Sequence, residues 1–246
     1  MQPELQSRVV VVLVRARNPS NIGAVARAMH DLGYTHLRIV NEYPVPFAAA
    51  KSAVDASSVL DAATEHTSLA DALADCTLVL GTTAVGERVL EHPLYLLPQA
   101  APVVAEALAT PEARVALLFG SEKTGLSNDE LSHCHALVTI PMNDRSGDRH
   151  LSMNLGQAAA VCLYQLALEP APAAAPDPDP PASAAEVDRI HGLFREVLDD
   201  SGYSRRHPAN SREAATRRLV LRMALTSSDA TVWSGILRQL LHAVRK

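Results

Sequence analysis

Cysteine and aromatic residues are scarce in this chain of 246 residues, which has three cysteines, one tryptophan, three phenylalanines and five tyrosines. Cys76, Cys134 and Cys162 are widely spaced and odd in number, a pattern typical of buried thiols rather than a disulfide framework. No apolar run approaches the ~20 residues that span a bilayer. Residues 1–8 lack the basic start and apolar stretch of a signal peptide. These absences predict a cytoplasmic protein without membrane contact.

Metal-binding patterns are also absent, since the ten histidines show no zinc-type spacing. His133 and His135 flank Cys134, but neither a helix nor a strand points three consecutive side chains at one ion. We therefore predict no metal centre.

Negative charge predominates overall, but it is unevenly distributed. The formal net charge of −5 is made up of +4 over residues 184–246 and −9 over residues 1–183. Residues 205–222 contain six arginines and a single acid, Glu213. A run of one charge sign is often only a solvated helix face, but this imbalance exceeds what solubility requires. It favours a phosphate-contacting patch, through which an acidic protein can bind RNA locally.

Six prolines between residues 169 and 183 mark a domain boundary. Because proline lacks a backbone donor and this stretch lacks large apolar side chains, it predicts an extended linker between residues 1–168 and 184–246. The second part has the amphipathic patterns of a small all-helical domain: Ala184–Asp200, Ser211–Ala224 and Asp229–Val244. Gly202 is expected to stop the first helix, and Ser228 or Asp229 to cap the third.

Before the linker, short β-branched apolar runs alternate with helical patterns. Near-continuous apolarity is typical of strands buried on both faces of a parallel sheet, and the alternation indicates an α/β fold. The predicted strands are Arg8–Val14, His36–Val40, Thr77–Leu80, Val115–Phe119 and Leu137–Ile140. The predicted helices are Ile22–Leu32, Ala50–Ala63, Ser68–Ala74, Val103–Ala109, Asp129–Cys134 and Ser152–Leu168.

Ligands of open parallel sheets bind at the carboxyl ends of the strands, and the loops there exclude three familiar sites. Residues 15–23 read RARNPSNIG, where a dinucleotide site has a GxGxxG turn. Gly120 and Gly125 have the spacing of a P-loop, but Leu126 stands where its lysine belongs. A GxSxG nucleophile elbow is absent. The loops therefore indicate neither nucleotide hydrolysis nor a serine hydrolase.

Three motifs occupy these loops instead. Residues 21–27 (NIGAVAR) fit N-x-G-x-x-A-R, and residues 120–127 (GSEKTGLS) fit G-x-E-x-x-G-L-[ST]. Residues 140–142 (IPM) and 152–154 (SMN) fit I-P-M … S-L-N, except that Met153 replaces leucine. In this order and spacing, over residues 8–168, the set resembles the ribose-methylating branch of the SPOUT class of RNA methyltransferases.

The resemblance implies a parallel-sheet SPOUT fold whose C-terminal segment is threaded as a trefoil knot and binds S-adenosylmethionine. Backbone groups of three loops hold the cofactor in that class, and small residues suit such close approach. The cofactor-binding positions implied here are Thr82, Thr83, Ala84, Gly120, Ile140, Leu151, Ser152 and Met153.

The resemblance also implies that Arg27, the arginine of the first motif, serves methyl transfer to a ribose 2′-hydroxyl. Because the pKa of a guanidinium exceeds ~12, we interpret Arg27 chiefly as an orienting, phosphate-binding and charge-stabilising group. Asn21, Asn154 and Ser152 are expected to fix loop geometry and hydrogen-bond the substrate. Glu122 is expected to anchor the cofactor loop or to pair with a basic group, the alternative being an exposed loop acid.

Helix-capping patterns overlap two of the motifs. Ser127 and Glu130 fit the S-x-x-E capping box, so we assign both mainly to starting a helix. Ser20 or Asn21 is expected to cap Ile22–Leu32. For Asn21 this role is compatible with binding substrate.

Basic residues of the acidic part concentrate in the motif loops or in the helix that follows one of them. Phosphate contacts position a nucleic acid without specifying its sequence. The RNA-binding residues we expect are Arg15, Arg17, Lys123, Arg145 and Arg149, with Arg205, Arg206, Arg212, Arg217 and Arg218 from the tail. The tail helices loosely resemble those of a tRNA methyltransferase type in this class that modifies the anticodon loop. Sites of the class are shared between subunits, which implies an obligate homodimer.

Two alternatives stay open: a ribosomal RNA ribose methyltransferase, and a non-catalytic RNA-binding relative of the same fold. The basic tail argues against the first. The presence of Arg27, Glu122 and Asn154 argues against the second.

Overall fold

A computed structural model of the protein describes residues 3–41, 56–84, 91–142, 152–168 and 179–246. Its strands are β1 (Val9–Val14), β2 (His36–Val40), β3 (Thr64–His66), β4 (Leu78–Thr82), β5 (Leu94–Leu96), β6 (Val115–Phe119) and β7 (Ala136–Thr139). They form one sheet in the order β3-β2-β1-β6-β4-β7-β5. Every neighbouring pair is parallel, so the predicted parallel α/β fold is confirmed.

Helices accompany the sheet on both faces and continue beyond it. Those within the first 168 residues are α1 (Pro3–Gln6), α2 (Pro19–Asp31), α3 (Ser57–Asp61), α4 (Leu69–Leu73), α5 (Leu97–Ala107), α6 (Asn128–Leu131) and α7 (Leu155–Leu168). The remaining ones are α8 (Ala184–Asp200), α9 (Tyr203–Arg206), α10 (Glu213–Leu221) and α11 (Ser227–Val244).

The sheet is buried on both sides because alternate side chains of each central strand enter separate cores. Val9, Val11 and Leu13 of β1 pack in a cluster with α2, α5 and α7. Val10, Val12 and Val14 pack in a second cluster with α4 and α6. Two covered faces explain why β1 is apolar at every position rather than at every second one.

Of the five predicted strands, β2 and β6 have the predicted bounds and the other three are shifted by one or two residues, whereas two further strands were missed. β3 and β5 have three residues each and lie at the two edges of the sheet. The sequence of β3 is Thr-Glu-His, which carries no apolar run to signal a strand. Residues 143–151 lie outside the described residues, so the trefoil knot stays a prediction.

Several predicted helix starts were displaced; α7, for example, begins at Leu155 rather than Ser152. Two of the displaced starts lie next to proline. α5 begins at Leu97 rather than Val103, since Pro98 falls in the first turn, where no amide donor is needed. α2 begins at Pro19, and its N-cap is Asn18 instead of Ser20 or Asn21. The Asn18 side chain accepts a 2.9 Å hydrogen bond from the Ser20 amide. Asn21 is thereby released from capping.

Helices α8 to α11 form a C-terminal helical segment with a small core of its own, which includes Val187, Ile190, Val220 and Leu237. Gly202 ends α8 with φ of 73°, as predicted, whereas the N-cap of α11 is Thr226 and not Ser228 or Asp229. Residues 179–183 pack with this segment rather than apart from it, because the Ala182 amide bonds the Leu225 carbonyl at 2.8 Å. Residues 169–178 of the predicted linker lie outside the described ranges.

Cys76, Cys134 and Cys162 are free and buried, as predicted. In the described part of the chain, no helix is long and apolar enough to cross a membrane. The same residues contain no cluster of three or more metal-ligand side chains.

His133, His135 and His191 are kept neutral by the fold. Burial, and for His133 and His191 also the charge of Arg217, lowers the pKa of each side chain to about 4. In addition, the Val79 amide donates a 3.1 Å hydrogen bond to His135 Nδ1, which must be unprotonated to accept it.

We expect the free energy of unfolding to fall as the pH is lowered from about 6.5 to about 4. The unfolded chain takes up protons at these histidines near the upper limit, whereas the folded chain resists until about 4. Each histidine contributes at most about 1.4 kcal/mol per pH unit. Urea titrations across this range measure the slope. His135→Asn should flatten it and the exposed His242→Asn should not, so equal slopes in all three proteins would contradict this account.

Candidate active site

Four loops of the predicted site lie side by side at one edge of the sheet. β1, β6, β4 and β7 are consecutive neighbours in the sheet and are parallel, so their carboxyl ends share an edge. The loops that follow them are residues 15–18, 120–127, 83–84 and 140–142. The fold thus brings together the first and second motifs and the beginning of the third.

Side-chain hydrogen bonds connect all three motifs. Asn21 Nδ2 donates to Glu122 Oε1 at 2.9 Å, and Asn154 Nδ2 donates to Asn21 Oδ1 at 3.2 Å. Asn154 Oδ1 accepts from the amides of Gly156 at 3.0 Å and Gln157 at 3.4 Å, at the start of α7. We call Glu122, Asn21 and Asn154 the amide relay.

The direction of the amide relay is fixed at both ends. An ionised carboxylate can only accept and a backbone amide can only donate, so each asparagine between them has one consistent orientation. Partial burial acts to raise the pKa of Glu122, but the hydrogen bonds from Asn21 and from the Asn18 amide outweigh it and lower that pKa. Glu122 therefore anchors its loop as a charged acceptor.

The second-motif loop, residues 120–127, closes on itself tightly enough to require glycine twice. Gly125 has φ of 64° and donates from its amide to the Ser121 carbonyl at 2.8 Å. A Cβ atom at Gly120 would overlap the backbone of Gly125 and Leu126. The two glycines are thus required for the closed shape of this loop.

Arg15 joins this loop to α6, and 33% of its side chain stays exposed. Its Nε and Nη2 atoms donate to the two oxygens of Glu130 at 2.6 and 2.9 Å, and Nη2 also donates to the Gly125 carbonyl at 3.0 Å. Arg15 adopts a φ of 58° to do so, a conformation that costs a non-glycine residue about 1 kcal/mol. Glu130 accepts from the Ser127 amide at 2.6 Å in the predicted capping box. Within the protein, Arg15 is thus an organising residue rather than an exposed phosphate ligand.

Arg27 lies on the outer side of α2, where its side chain is 51% exposed and pairs with Asp31 at 3.1 Å. Hydrogen bonds from His30 and Arg27 lower the pKa of Asp31. Elsewhere along its length α2 packs against α7 so closely that a Cβ at Gly156 would lie 2.6 Å from Ala24 Cβ. The guanidinium therefore projects from a rigid helix pair and is not buried among the motif loops of its own chain.

The remaining positions predicted to bind cofactor line the same edge. The Thr83 amide donates to the Val138 carbonyl at 2.9 Å, and Thr82 Oγ1 donates to the Leu118 carbonyl at 2.8 Å, which fixes this strand end. Ala84 and Ser152 are exposed, whereas Thr83, Ile140 and Met153 are half-buried. Leu151 lies outside the described residues.

Comparison with known proteins places this site in a family. Residues 8–164 match the profile of the SpoU rRNA methylase family. The chain belongs to the SpoU methylase family. The resemblance inferred from the three motifs is thereby confirmed.

Relatives of this SpoU methylase match it beyond the family region, over nearly its whole length. It is 36% identical over 237 residues to the tRNA (cytidine/uridine-2′-O-)-methyltransferase TrmJ of Citrobacter koseri, covering 92% of this chain and 93% of that one. The TrmJ of Salmonella typhimurium is 35% identical over 236 residues, with the same coverage. The crystal structure of TrmJ from Z. mobilis ZM4 aligns with a TM-score of 0.78 at 30% identity, covering 94% of this chain and 98% of that one.

The basic residues predicted to contact RNA fall into two groups in this SpoU methylase. Exposed members are Arg17 and Lys123 beside the motif loops, and Arg205, Arg206 and Arg212 on the C-terminal helical segment. Arg218 pairs with Glu91, and Arg217 is 8% exposed. Arg217 is therefore excluded from phosphate contact by burial, which corrects that part of the prediction. Arg145 and Arg149 lie outside the described residues.

Sequence reasoning missed Asn18 and Ser132 as structural partners of the site. Asparagine is a favoured N-cap residue and proline is favoured at the first helical position, so the pair Asn18-Pro19 could have identified the cap from the sequence. Ser132, which bonds Arg217 across the fold, gave no local signal.

Gly120→Ala should lower the free energy of unfolding by about 1 to 3 kcal/mol, because the added methyl forces the loop backbone apart. Gly192→Ala is the matched control: it lies inside α8 with open space around its Cβ position. This control should raise stability by up to about 1 kcal/mol. Chemical denaturation of both variants measures the difference in the free energy of unfolding. If Gly120→Ala were as stable as wild type, the loop backbone would be able to accommodate the methyl group and the prediction would be wrong.

Asn21→Asp should place a second carboxylate against Glu122 and remove the donor between them. We expect it to be destabilised near pH 7 by about 1 to 2 kcal/mol relative to wild type. Sharing of one proton raises the pKa of the pair, so the deficit should shrink as the pH falls towards 5. Thermal unfolding at matched pH values measures it. Ser20→Asp adds the same charge one residue away, and an equal effect there would refute a specific Asn21–Glu122 contact.

Proposed function

We propose that this chain is an S-adenosylmethionine-dependent methyltransferase that modifies a ribose 2′-hydroxyl of tRNA, with the anticodon loop as its target. The observation that carries the proposal is the extent of the match to the TrmJ tRNA methyltransferases, 92% of this chain. That match runs past residue 164, where the family region ends. It therefore includes the C-terminal helical segment, which we propose as an RNA-binding domain at residues 184–246.

The residues at the loop edge fit the proposed cofactor. Gly120 is buried against the Gly125 backbone, which keeps the second-motif loop compact, and the neighbouring loop after β4 begins with the small residues Thr83 and Ala84. We propose that these residues hold S-adenosylmethionine with Thr82, Ile140, Leu151, Ser152 and Met153, and that the C-terminal segment of this part of the chain is threaded as the trefoil knot of the class. When bound, the cofactor supplies an electrophilic methyl group on sulfur. The chain itself has to orient the hydroxyl and help remove its proton.

The proposed catalytic residues divide this work. The Arg27 guanidinium can bind the phosphate beside the target ribose and stabilise the developing alkoxide. The amide relay holds the second-motif loop and the start of α7 against α2, and from these positions Asn21, Asn154 and Ser152 contact the substrate. Glu122 serves as the charged end of the relay, which supports a positioning role for it rather than proton transfer.

A homodimer would let Arg27 act at the site of the other subunit. Val161, Tyr164 and Leu168 are spaced three and four residues apart and are 38%, 57% and 59% exposed along one side of α7. Such an apolar stripe on a helix favours association. Because α7 packs on α2, the same association would carry Arg27 towards a partner. We propose that the dimer acts in the cytoplasm, where tRNA is processed.

A ribosomal RNA substrate is the second candidate, favoured by the description of the matching family. It would require the same loops and the same chemistry. The exposed arginines of the C-terminal segment and the full-length relatives support tRNA instead.

Mass spectrometry of nucleosides tests the proposal. Unmodified tRNA and ribosomal RNA transcripts are incubated with the protein and S-adenosylmethionine, then digested. We expect a ribose-methylated nucleoside from tRNA alone, at a rate that falls with added salt because phosphate contacts release counterions. Arg27→Ala should reduce the rate at least about 100-fold.

Arg245→Ala is the matched control, since Arg245 is likewise exposed and ion-paired but lies at the end of α11. It should methylate like wild type. If only ribosomal RNA were methylated, the proposed reaction would stand and the proposed tRNA substrate would be wrong. Absence of any product together with tight RNA binding would indicate a non-catalytic relative.

A further inference from the structure

The C-terminal helical segment is bonded to the catalytic part of its own chain through backbone groups. At the start of α8, the Ala184 amide donates to the Cys76 carbonyl at 2.8 Å and the Ala185 amide to the Ala74 carbonyl at 3.1 Å. First-turn amides have no partner within a helix. Here the body supplies those partners, so the first turn of α8 has a fixed place between α4 and β4.

A buried arginine forms a second attachment on another helix. Arg217 of α10 donates from Nη1 to Ser132 Oγ at 3.0 Å and from Nη2 to Glu213 Oε1 at 2.9 Å. Its Nε lies 3.6 Å from Asp188 Oδ1, an ion pair beyond hydrogen-bond length. Two carboxylates of the C-terminal segment thus neutralise the guanidinium, while the body contributes one neutral hydroxyl.

The two histidines near Arg217 are neutral and do not oppose its positive charge. His133 on the body side and His191 on α8 are both near it, and the pKa of each is lowered to about 4 by burial and by Arg217. Both rings are therefore neutral at physiological pH and do not repel the guanidinium. Undocking of the segment would leave Arg217 with Glu213 and Asp188 of its own segment and would break its hydrogen bond to Ser132.

Ser132 connects this contact to the second-motif loop. It directly follows α6, and its hydroxyl donates to the Asp129 carbonyl at 2.6 Å. The other end of α6 is held by the capping box and by Arg15, whose guanidinium also bonds the Gly125 carbonyl. This four-residue helix is thus held at its start by the candidate site and at its end by the C-terminal segment.

We infer that Arg217 is a positioning residue for tRNA, which sets the C-terminal segment in register with the cofactor loop through Ser132 and α6. This inference rests on the proposed function. The exposed Arg205, Arg206 and Arg212 bind the tRNA. The Arg217–Ser132 contact fixes the position of these three arginines relative to the second-motif loop. If the Arg217–Ser132 contact is lost, the three exposed arginines can still bind tRNA, but the target ribose is no longer held at a fixed position in the active site.

The test separates tRNA binding from turnover of bound tRNA. Arg217→Ala and Ser132→Ala are compared in the full-length protein by tRNA affinity and by single-turnover methylation at saturating tRNA. We expect affinity to change less than about threefold while the saturated rate falls at least about tenfold, since misplacement of a reacting group has effects of this size. The double variant should be no slower than Arg217→Ala, because both changes break one contact.

Ser132→Ala keeps the test decisive if Arg217→Ala unfolds, because it leaves the ion pairs of Arg217 with Asp188 and Glu213 in place. Hydrogen exchange at the Ala184 and Ala185 amides reports directly on undocking and does not depend on activity. Arg238→Ala removes an exposed positive charge from α11. It should leave both the saturated rate and the exchange unchanged.

An unchanged saturated rate in both Arg217→Ala and Ser132→Ala would overturn the inference. So would a large loss of affinity at an unchanged saturated rate, since Arg217 would then support only the binding surface. Failure of the wild-type protein to methylate tRNA would instead overturn the proposed function. The exchange measurement would still report whether the segment is docked, so the two failures are distinguishable.

Discussion

The side chain of Asn21 holds the candidate site in one piece. Its amide nitrogen is committed to the carboxylate of the second motif and its oxygen to the amide of the third. Neither the loop after β6 nor the start of α7 can shift without breaking a bond to α2. α2 is itself packed closely against α7. The relay therefore attaches the motif loops to this pair of helices, and that attachment fixes the positions of the loops at this edge of the sheet.

Arginine serves two different purposes in this chain, and the sequence does not distinguish them. Arg15 and Arg217 both lie in clusters of basic residues, which favours a nucleic-acid role at the level of composition. In the structure each is turned inward to a carboxylate and to a group on a neighbouring element. The planar guanidinium can satisfy several acceptors at once, so the residue type best suited to grip phosphate is also the one best suited to join loops.

Patterns that repeat along the chain were predictable, and contacts between distant residues were not. The central strands are apolar at every position, so their presence and parallel arrangement followed from sequence. β3 (Thr-Glu-His) carries no such pattern, β5 (Leu-Tyr-Leu) is only three residues long, and each pairs with a single neighbour at an edge of the sheet. The motifs identified Asn21, Glu122 and Asn154 as a set, but their bonding order depends on loop geometry. The burial of Arg217 depends on a partner 85 residues away in sequence.

The strand order has a consequence for how the protein is made. β1, which begins at Val9, pairs on one side with β6, which begins at Val115. A chain leaving the ribosome therefore carries its first strand with one hydrogen-bonding edge unfilled until about a hundred further residues have been synthesised. Such non-local pairing is slow and leaves an apolar strand open to wrong partners in the interval. Correct folding in the cell thus depends on the nascent chain being shielded until the middle of the sheet can close.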